Sequence, residues 1–458
     1  MIYFIAGIAA LSGLLFGFDE GVIAGILPIL TEHFHLTDAS QGFLASALPL
    51  GAMFASIVLG SYIATKLTNK IGRRQAILFA AILFTISSLG AALAVNLWLL
   101  IFARLLVGLA IGVAGVMTPL YIAEMVPAKI RGRLVSCYQL AITIGILSGY
   151  LLNYTFIYGV NWRWMFAAGA IPSLILLIGM YILPESHRWL MLTGQKEKAR
   201  EVLRKLHATN IDKKLDVISH TISDEGDTVK WSQLLSPTVR PALIVAMMLF
   251  VLQQVSGINV VIYYAPSIFG SAGFSTAQTQ IMATVGVGLV NVLSTVLAMW
   301  LIEKLGRRIL LYIGFAGAAL TLFVISFSSQ LEAAGLSYVT LIATFAYIFS
   351  FAIAIGPIPH IMMSEVFPMN VRNTGMGVAS ICNWGFNFLV VFTYPIFINV
   401  IGMEGTFWIY GVACILGLFF TYFYVPETKG IALEEITEHL LHKRPLRDLG
   451  SETYTDKF

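Results

Sequence analysis

The chain has 458 residues, 58% of them hydrophobic and 11% charged; a soluble globular protein carries roughly 25% charged residues, so an ordinary soluble enzyme is excluded. Its 28 basic and 24 acidic side chains leave a net charge of +4, with neither a compact basic patch nor interleaved basic and aromatic residues, and no nucleic acid is expected as a partner. Cys137, Cys382 and Cys414 each lie in an apolar run without CxxC spacing or a nearby His, and are expected to be inert core residues, with no disulfide framework and no metal site.

A helix that crosses a bilayer needs about 20 largely apolar residues, and twelve runs of that kind follow one another. Span 1, residues 4–30, is interrupted by Asp19 and Glu20; without a basic leading region or a small-residue cleavage site it reads as a retained span rather than a signal peptide. Spans 2 to 6 follow at 42–64, 75–95, 98–122, 134–157 and 162–183, with Arg104 inside span 4. The link 184–240 is polar, and within it Gln195 to Ala208 is predicted to be an amphipathic helix with Ala199, Val202, Leu203 and Leu206 on one face. Spans 7 to 12 occupy 241–269, 278–302, 309–328, 338–363, 375–400 and 405–425. A second amphipathic stretch carries Leu433, Ile436 and Leu440, and Arg447 to Phe458 read as a disordered end. Both amphipathic stretches are expected to lie against the cytoplasmic mouth. Runs this continuous exclude the short alternating strands of a membrane barrel; the fold class is an all-α membrane protein.

Of the 28 Lys and Arg residues, all but Arg104 and Arg163 fall in links after even-numbered spans or in the tail. Cytoplasmic loops collect Lys and Arg, so both termini are expected in the cytoplasm, the protein being multi-pass in the plasma (inner) membrane.

Three motifs occur twice. Gly72-Arg73-Arg74 returns as Gly306-Arg307-Arg308, Glu124-x-x-Pro127-x-x-x-Arg131 as Glu365-x-x-Pro368-x-x-x-Arg372, and Pro184-Glu185-Ser186 as Pro426-Glu427-Thr428. Their order and near-constant separation predict a parallel repeat of two six-helix halves, 1–183 and 241–425, joined by a cytoplasmic helical linker, 184–240, and followed by a tail, 426–458, with a substrate site between the halves at mid-depth.

Charges inside a span are costly and usually functional. Asp19 and Arg104 lie roughly 16 and 9 Å below the outer end at 1.5 Å per residue, close enough for their side chains to meet. Protonation of Asp19 would then release Arg104 and couple proton entry to closure around substrate; a permanent ion pair between spans 1 and 4 is the other reading. Glu20 is given a secondary role. Spans 7 to 12 hold no Asp, Glu, Lys or Arg in their interiors, so a site there serves an uncharged solute. They do hold Gln253, Gln254, Asn259, Asn291, Asn383, Trp384 and Asn387, with Tyr263 and Tyr264. Amides donate and accept as sugar hydroxyls do, and an aromatic ring packs on the apolar face of a pyranose; a single amide can equally serve as an interhelical bond. Arg73, Arg74, Glu124, Arg131 and Glu185, and Glu303, Arg307, Arg308, Glu365, Arg372 and Glu427, fall at the inner ends of spans and are expected to latch that side. No nucleophile, base and oxyanion-hole set is visible, so no enzymatic activity is expected, and no cofactor beyond a proton as coupling ion.

These motifs, with Gly17-Phe18-Asp19, Gly21-Val22-Ile23, Arg131-Gly132-Arg133-Leu134, Gln253-Gln254, Gly257-Ile258-Asn259, Tyr263-Tyr264 and Gly356-Pro357-Ile358-Pro359, resemble the sugar porter family of the major facilitator superfamily. The likeness runs from about Leu11 to Leu441; it looks closest to bacterial proton-coupled xylose, galactose and arabinose symporters and is similar to animal glucose facilitators. It implies the major facilitator fold, alternating access, and a monosaccharide held by Gln139, Gln253, Gln254, Asn259, Asn291, Asn383 and Trp384, with Phe16 near the pocket; Tyr263, from the aromatics noted above, is a further substrate-binding candidate. The acid at Asp19 beside Arg104 favours symport over passive facilitation, and the short tail argues against a transporter-like sensor. A monomer in the lipid bilayer is expected. Four positions depart from the family pattern: His360 stands where Trp is usual, Ile146 where the xylose type has a second Gln, Asn69 where Asp precedes Gly-Arg-Arg, and His187 where Pro follows Glu185-Ser186. His360 thereby joins the pocket candidates as a titratable group, and the first-half latch is expected to be the looser one.

Overall fold

The computed structural model describes residues 1–60, 71–156, 161–206, 210–224, 231–328, 336–368 and 371–431, and 435–436, 439–440, 442 and 444–449 of the tail. Asn69, Ala208, Leu433 and the chain after residue 449 lie outside the described residues. Among those described there is no strand, and the apolar runs are helices: Ile2–Phe34, Asp38–Gly60, Arg73–Ala92, Leu97–Met125 and Ala128–Thr155 for spans 1 to 5, and Trp162–Ala168 with Ala170–Ile182 for span 6. Span 7 is Arg240–Val255 and Ile258–Ser271, span 8 Ala277–Leu305 and span 9 Arg307–Ser328. Span 10 runs Leu336–Ser350, through a π turn at Phe351–Ile355, to Ile358–Glu365. The last helical stretch, Arg372–Tyr424, has 53 residues, about 80 Å at 1.5 Å per residue, more than twice the hydrocarbon thickness. Gly402, at φ +71°, breaks it into spans 11 and 12. The twelve helices form two six-helix halves, the arrangement that the repeated motifs predict.

Large apolar side chains on the outside of the bundle, among them Trp98, Phe102, Ile178, Leu293 and Leu416, are exposed. A soluble protein would bury such a belt; lipid takes its place here.

Lipid tails are as apolar as Leu, so helices in a membrane gain chiefly by close packing. Span 1 carries Gly13, Gly17, Gly21 and Gly25 at a spacing of four, one stripe along its length. This stripe lies against span 5: a Cβ on Gly17 would sit 1.8 Å from the Ile142 carbonyl oxygen, and one on Gly21 2.4 Å from that of Ile146. With no side chains between them the backbones touch, and Asn153 of span 5 donates to the Gly21 carbonyl at 2.8 Å. Span 1 is thereby held in one rotation, which decides where its two acids point.

Proline inside a span removes the N–H that would bond the carbonyl four residues earlier, and a bare carbonyl in lipid is costly. Three such carbonyls are met by side chains from other helices. Pro266 frees Ile262, whose carbonyl takes the Tyr150 hydroxyl at 2.8 Å; Pro359 frees Ile355, which takes Gln253 Nε2 at 2.8 Å; Pro395 frees Val391, which takes the Tyr264 hydroxyl at 3.1 Å.

The link between the halves contains helices His187–Leu192, Lys196–Lys205 and Ile211–Asp224 and a 3₁₀ turn, Trp231–Leu235. Ala199, Val202 and Leu203 are buried, as their spacing predicts, in a cluster with Trp189 of the link and with Met125, Leu134 and Leu183 at the Gly-Arg-Arg end of the first-half spans. Two sequence expectations need correction. Cys414 alone of the cysteines is buried, Cys137 and Cys382 being partly exposed. Arg447 is not the start of a disordered end, because Leu446–Asp448 forms a 3₁₀ turn with Leu446 and Leu449 buried. The helix Ile211–Asp224, with Ile211, Leu215, Ile218 and Ile222 at helical spacing, was legible in the sequence but was passed over.

Candidate functional site

Span 7 breaks because Gly257 adopts φ +87°, a left-handed geometry open to glycine at little cost, and because the Tyr410 ring occupies the space of a Cβ there, 2.5 Å away. The break leaves Gln253 and Gln254 at the end of one helix and Asn259 at the start of the next. They form one chain of amides: Asn259 Nδ2 donates to Gln254 Oε1 at 2.5 Å, and Gln254 Nε2 donates to Asn383 Oδ1 at 2.6 Å and to Gln253 Oε1 at 3.3 Å. Gln253 spends its own NH₂ on the Ile355 and Gly356 carbonyls where span 10 is broken. All four amides are buried. Next to Asn383, Trp384 meets Phe16 of span 1 edge to face, with ring centroids 5.4 Å apart, so both halves contribute to this point.

One turn beyond Asn259, the Tyr263 hydroxyl donates to Glu20 Oε1 across the interface at 3.2 Å. Beside it, Asp19 Oδ2 lies 3.1 Å from Arg104 Nη1, and the guanidinium is fully buried. Arg104 also donates Nε to the Leu44 carbonyl at 3.1 Å and lies over the Phe166 ring, 6.0 Å from its centroid. Removing one member of a buried pair typically costs about 3–5 kcal/mol, since it strands the other charge. The Glu20–Tyr263 bond and the Asp19–Arg104 pair thus involve adjacent residues of span 1, one turn of span 7 away from Asn259. At the end away from the Gly-Arg-Arg motifs the halves meet again, Asn399 donating to Asp38 at 2.6 Å.

The three repeated motifs meet in one structure, present once per half. Glu185 accepts the backbone N–H groups of Arg73 and Arg74 at 3.1 and 3.0 Å, and Glu427 those of Arg307 and Arg308 at 3.1 and 3.0 Å. Each carboxylate caps a helix N-terminus, where bare donors and the helix dipole favour an anion. Gly72 and Gly306, both at φ +85°, leave room for it. The first Arg reaches the Glu of the second motif: Arg73 to Glu124 at 3.3 Å and Arg307 to Glu365 at 2.7 Å. Ser186 and Thr428 hydroxyls donate to those same carboxylates. The second Arg holds carbonyls at the end of the sixth span of its half, Arg74 those of Met180 and Tyr181 and Arg308 that of Tyr422. Every described ion pair in these clamps lies within one half. The first-half pair is longer, yet more buried, than the second.

Some candidates stand apart. Arg131 and Glu303 are exposed and outside both clamps, while Arg372 donates to the Phe367 carbonyl at 3.4 Å. Gln139 is half-buried on span 5 and Asn291 buried on span 8, neither within the amide chain. His360 lies near the Gly356 carbonyl, 3.3 Å from Nδ1, and against the Phe250 ring. Sequence reasoning passed over Tyr150, whose signal was Pro266 four residues beyond Ile262.

A family model described as sugar (and other) transporters matches residues 5–440. The chain is 41% identical to the putative metabolite transport protein YwtG of Bacillus subtilis, over 95% of this chain and 94% of that protein. It is 37% identical to the galactose-proton symporter of Escherichia coli, over 98% and 97%. Among solved structures it is similar to the xylose transporter XylE of E. coli in a partially occluded inward-open conformation, with a TM-score of 0.82 and 31% identity, covering 94% of this chain and 99% of that one.

Proposed function

The chain belongs to the sugar (and other) transporter family, and on that premise we propose that it imports a monosaccharide by proton symport through alternating access. The observation that carries this reading is the buried Asp19–Arg104 pair, next to the Glu20–Tyr263 bond and one turn of span 7 away from Asn259 of the amide chain. The named relative that is a galactose-proton symporter supports the coupling.

In this reading the sugar takes over bonds that the amides now make to one another. Hydroxyls replace amide partners one for one, so little polar desolvation is left uncompensated. Trp384 and Phe16 face the apolar side of the ring, and Gln139, Asn291 and His360 complete the pocket as the halves move. Asp19 takes a proton from the outside, loses its charge and releases Arg104, and the halves rock together over the sugar. The clamps keep spans 3, 4 and 6, and spans 9, 10 and 12, bound at the cytoplasmic end, so each half moves as a body.

The test is counterflow in proteoliposomes with labelled glucose, galactose, xylose and arabinose, with and without an imposed proton gradient. The wild type is expected to accumulate one of them uphill only with the gradient. Asp19→Asn is expected to lose that accumulation, more than tenfold, and to keep exchange down a gradient. If accumulation survives the substitution, Asp19 is not the coupling acid. Sugar uptake without proton entry in lightly buffered vesicles identifies a passive facilitator.

A further inference from the structure

The second acid of span 1 carries no proton in the cycle just described. Glu20 is 2% exposed, and the Tyr263 hydroxyl is its hydrogen-bond donor. The charged and titratable groups that face it are Asp19 on its own helix, Arg104 on span 4, Tyr263 on span 7 and Tyr150 on span 5. Among these, two carboxyls share one guanidinium. Arg104 directs Nη1 to Asp19 and Nε to a carbonyl, and its Nη2, though buried, bonds neither acid, which leaves Glu20, among the described residues, bonded to a neutral hydroxyl alone. A second carboxylate in the membrane interior without a cation costs several kcal/mol. A protonated carboxyl avoids that cost and still accepts the Tyr263 hydrogen bond through its carbonyl oxygen.

The position of this contact gives the proton a consequence. Tyr263 belongs to the other half, and its bond to Glu20 exists while the halves are together at the end where Asp38 meets Asn399. We propose that Glu20 is a second proton-bearing group of the transport cycle, and that its protonation holds the halves together at the outer end. When that end opens, water reaches the carboxyl, its O–H bond breaks and the proton passes to water. Reclosure requires the proton back, because an ionised Glu20 cannot be buried against Tyr263 without a cation. This rests on the alternating-access reading, but neither on the identity of the sugar nor on Asp19 as the coupling acid.

The experiment reads the outer end directly, with no sugar and no gradient. Spin labels replace Ala39 and Val400, both exposed and on opposite halves, in a chain whose three cysteines are replaced, and the interlabel distance is measured in nanodiscs between pH 5 and 9. The wild type is expected to shift towards longer distances as pH rises. Glu20→Gln, which still accepts from Tyr263, is expected to keep the short distance throughout. Tyr263→Phe is expected to open at lower pH than the wild type, by about one pH unit, the worth of one hydrogen bond. The proposal is overturned by a wild type whose distance ignores pH, by Glu20→Gln opening as the wild type does, or by Tyr263→Phe with an unmoved midpoint. Loss of uphill accumulation in the separate Asp19→Asn assay bears on the coupling acid alone.

Discussion

His187 shows how one substituted position acquires a property of its own. It begins the first link helix, its Nδ1 has no partner among the described residues, and burial, with the charges of Lys214, Arg188 and Arg131 behind it, pushes its pKa down to about 4. In the unfolded chain an imidazole titrates near 6.5. Below that pH the unfolded chain binds a proton that the folded link refuses, so stability falls as pH drops from about 6.5 towards 4 and then levels off. Thermal unfolding in detergent over that range is expected to show the midpoint of the wild type dropping with acidification more than that of His187→Gln. Equal slopes would remove His187 from the pH response. A single side chain matters at Gly257 as well: the left-handed break it permits is what sets Gln254 within reach of both Asn259 and Asn383.

At the scale of helices, the broken spans are stabilised by donors from elsewhere, and one of these donors crosses between halves. Tyr150 is fully buried on span 5 and bonds the Ile262 carbonyl that Pro266 leaves free on span 7. Tyr150→Phe strands that carbonyl, at about 1–3 kcal/mol, only while the halves are together. The outer end is therefore expected to open more readily, the closed-to-open ratio falling roughly tenfold, as the same interlabel distance reports at fixed pH. An unchanged ratio would mean that another donor replaces the hydroxyl. The glycine stripe of span 1 works the other way, as a permanent seam within one half. Its spacing of four was legible in the sequence, but its partner was not, because nothing in span 1 says which of eleven helices it will touch.

For the whole molecule, the clamps and the contacts between halves divide the labour. Each clamp ties three spans of one half at the basic end, and the two halves are joined away from that end through Asp38 with Asn399, Glu20 with Tyr263 and Tyr150 with Ile262, and nearer to it through Ser56 with Ser380. Motion of one half against the other must break the second set and can spare the first. Cysteines at Asp38 and Asn399, joined by a short thiol-reversible crosslinker, are expected to stop sugar exchange almost completely, and added thiol to restore it. Exchange that continues through the crosslink would show that the outer end need not part.

Span number, the internal repeat and the asymmetry of basic residues were readable from the chain because each is a one-dimensional quantity: a bilayer sets the length of an apolar run, and charge is counted loop by loop. The six motif copies were readable as repeats for the same reason, and so was the pairing of Asp19 with Arg104, whose depths follow from the helical rise. What joined the motifs into two clamps was tertiary structure, since Arg73, Glu124 and Glu185 come from three separate segments. Tertiary structure also decided that Gln253 serves a broken backbone while Gln254 links two amides, and that Glu20 faces the opposite half. Rotation of a helix about its axis is set by the neighbour it packs on, and sequence order carries no record of that neighbour.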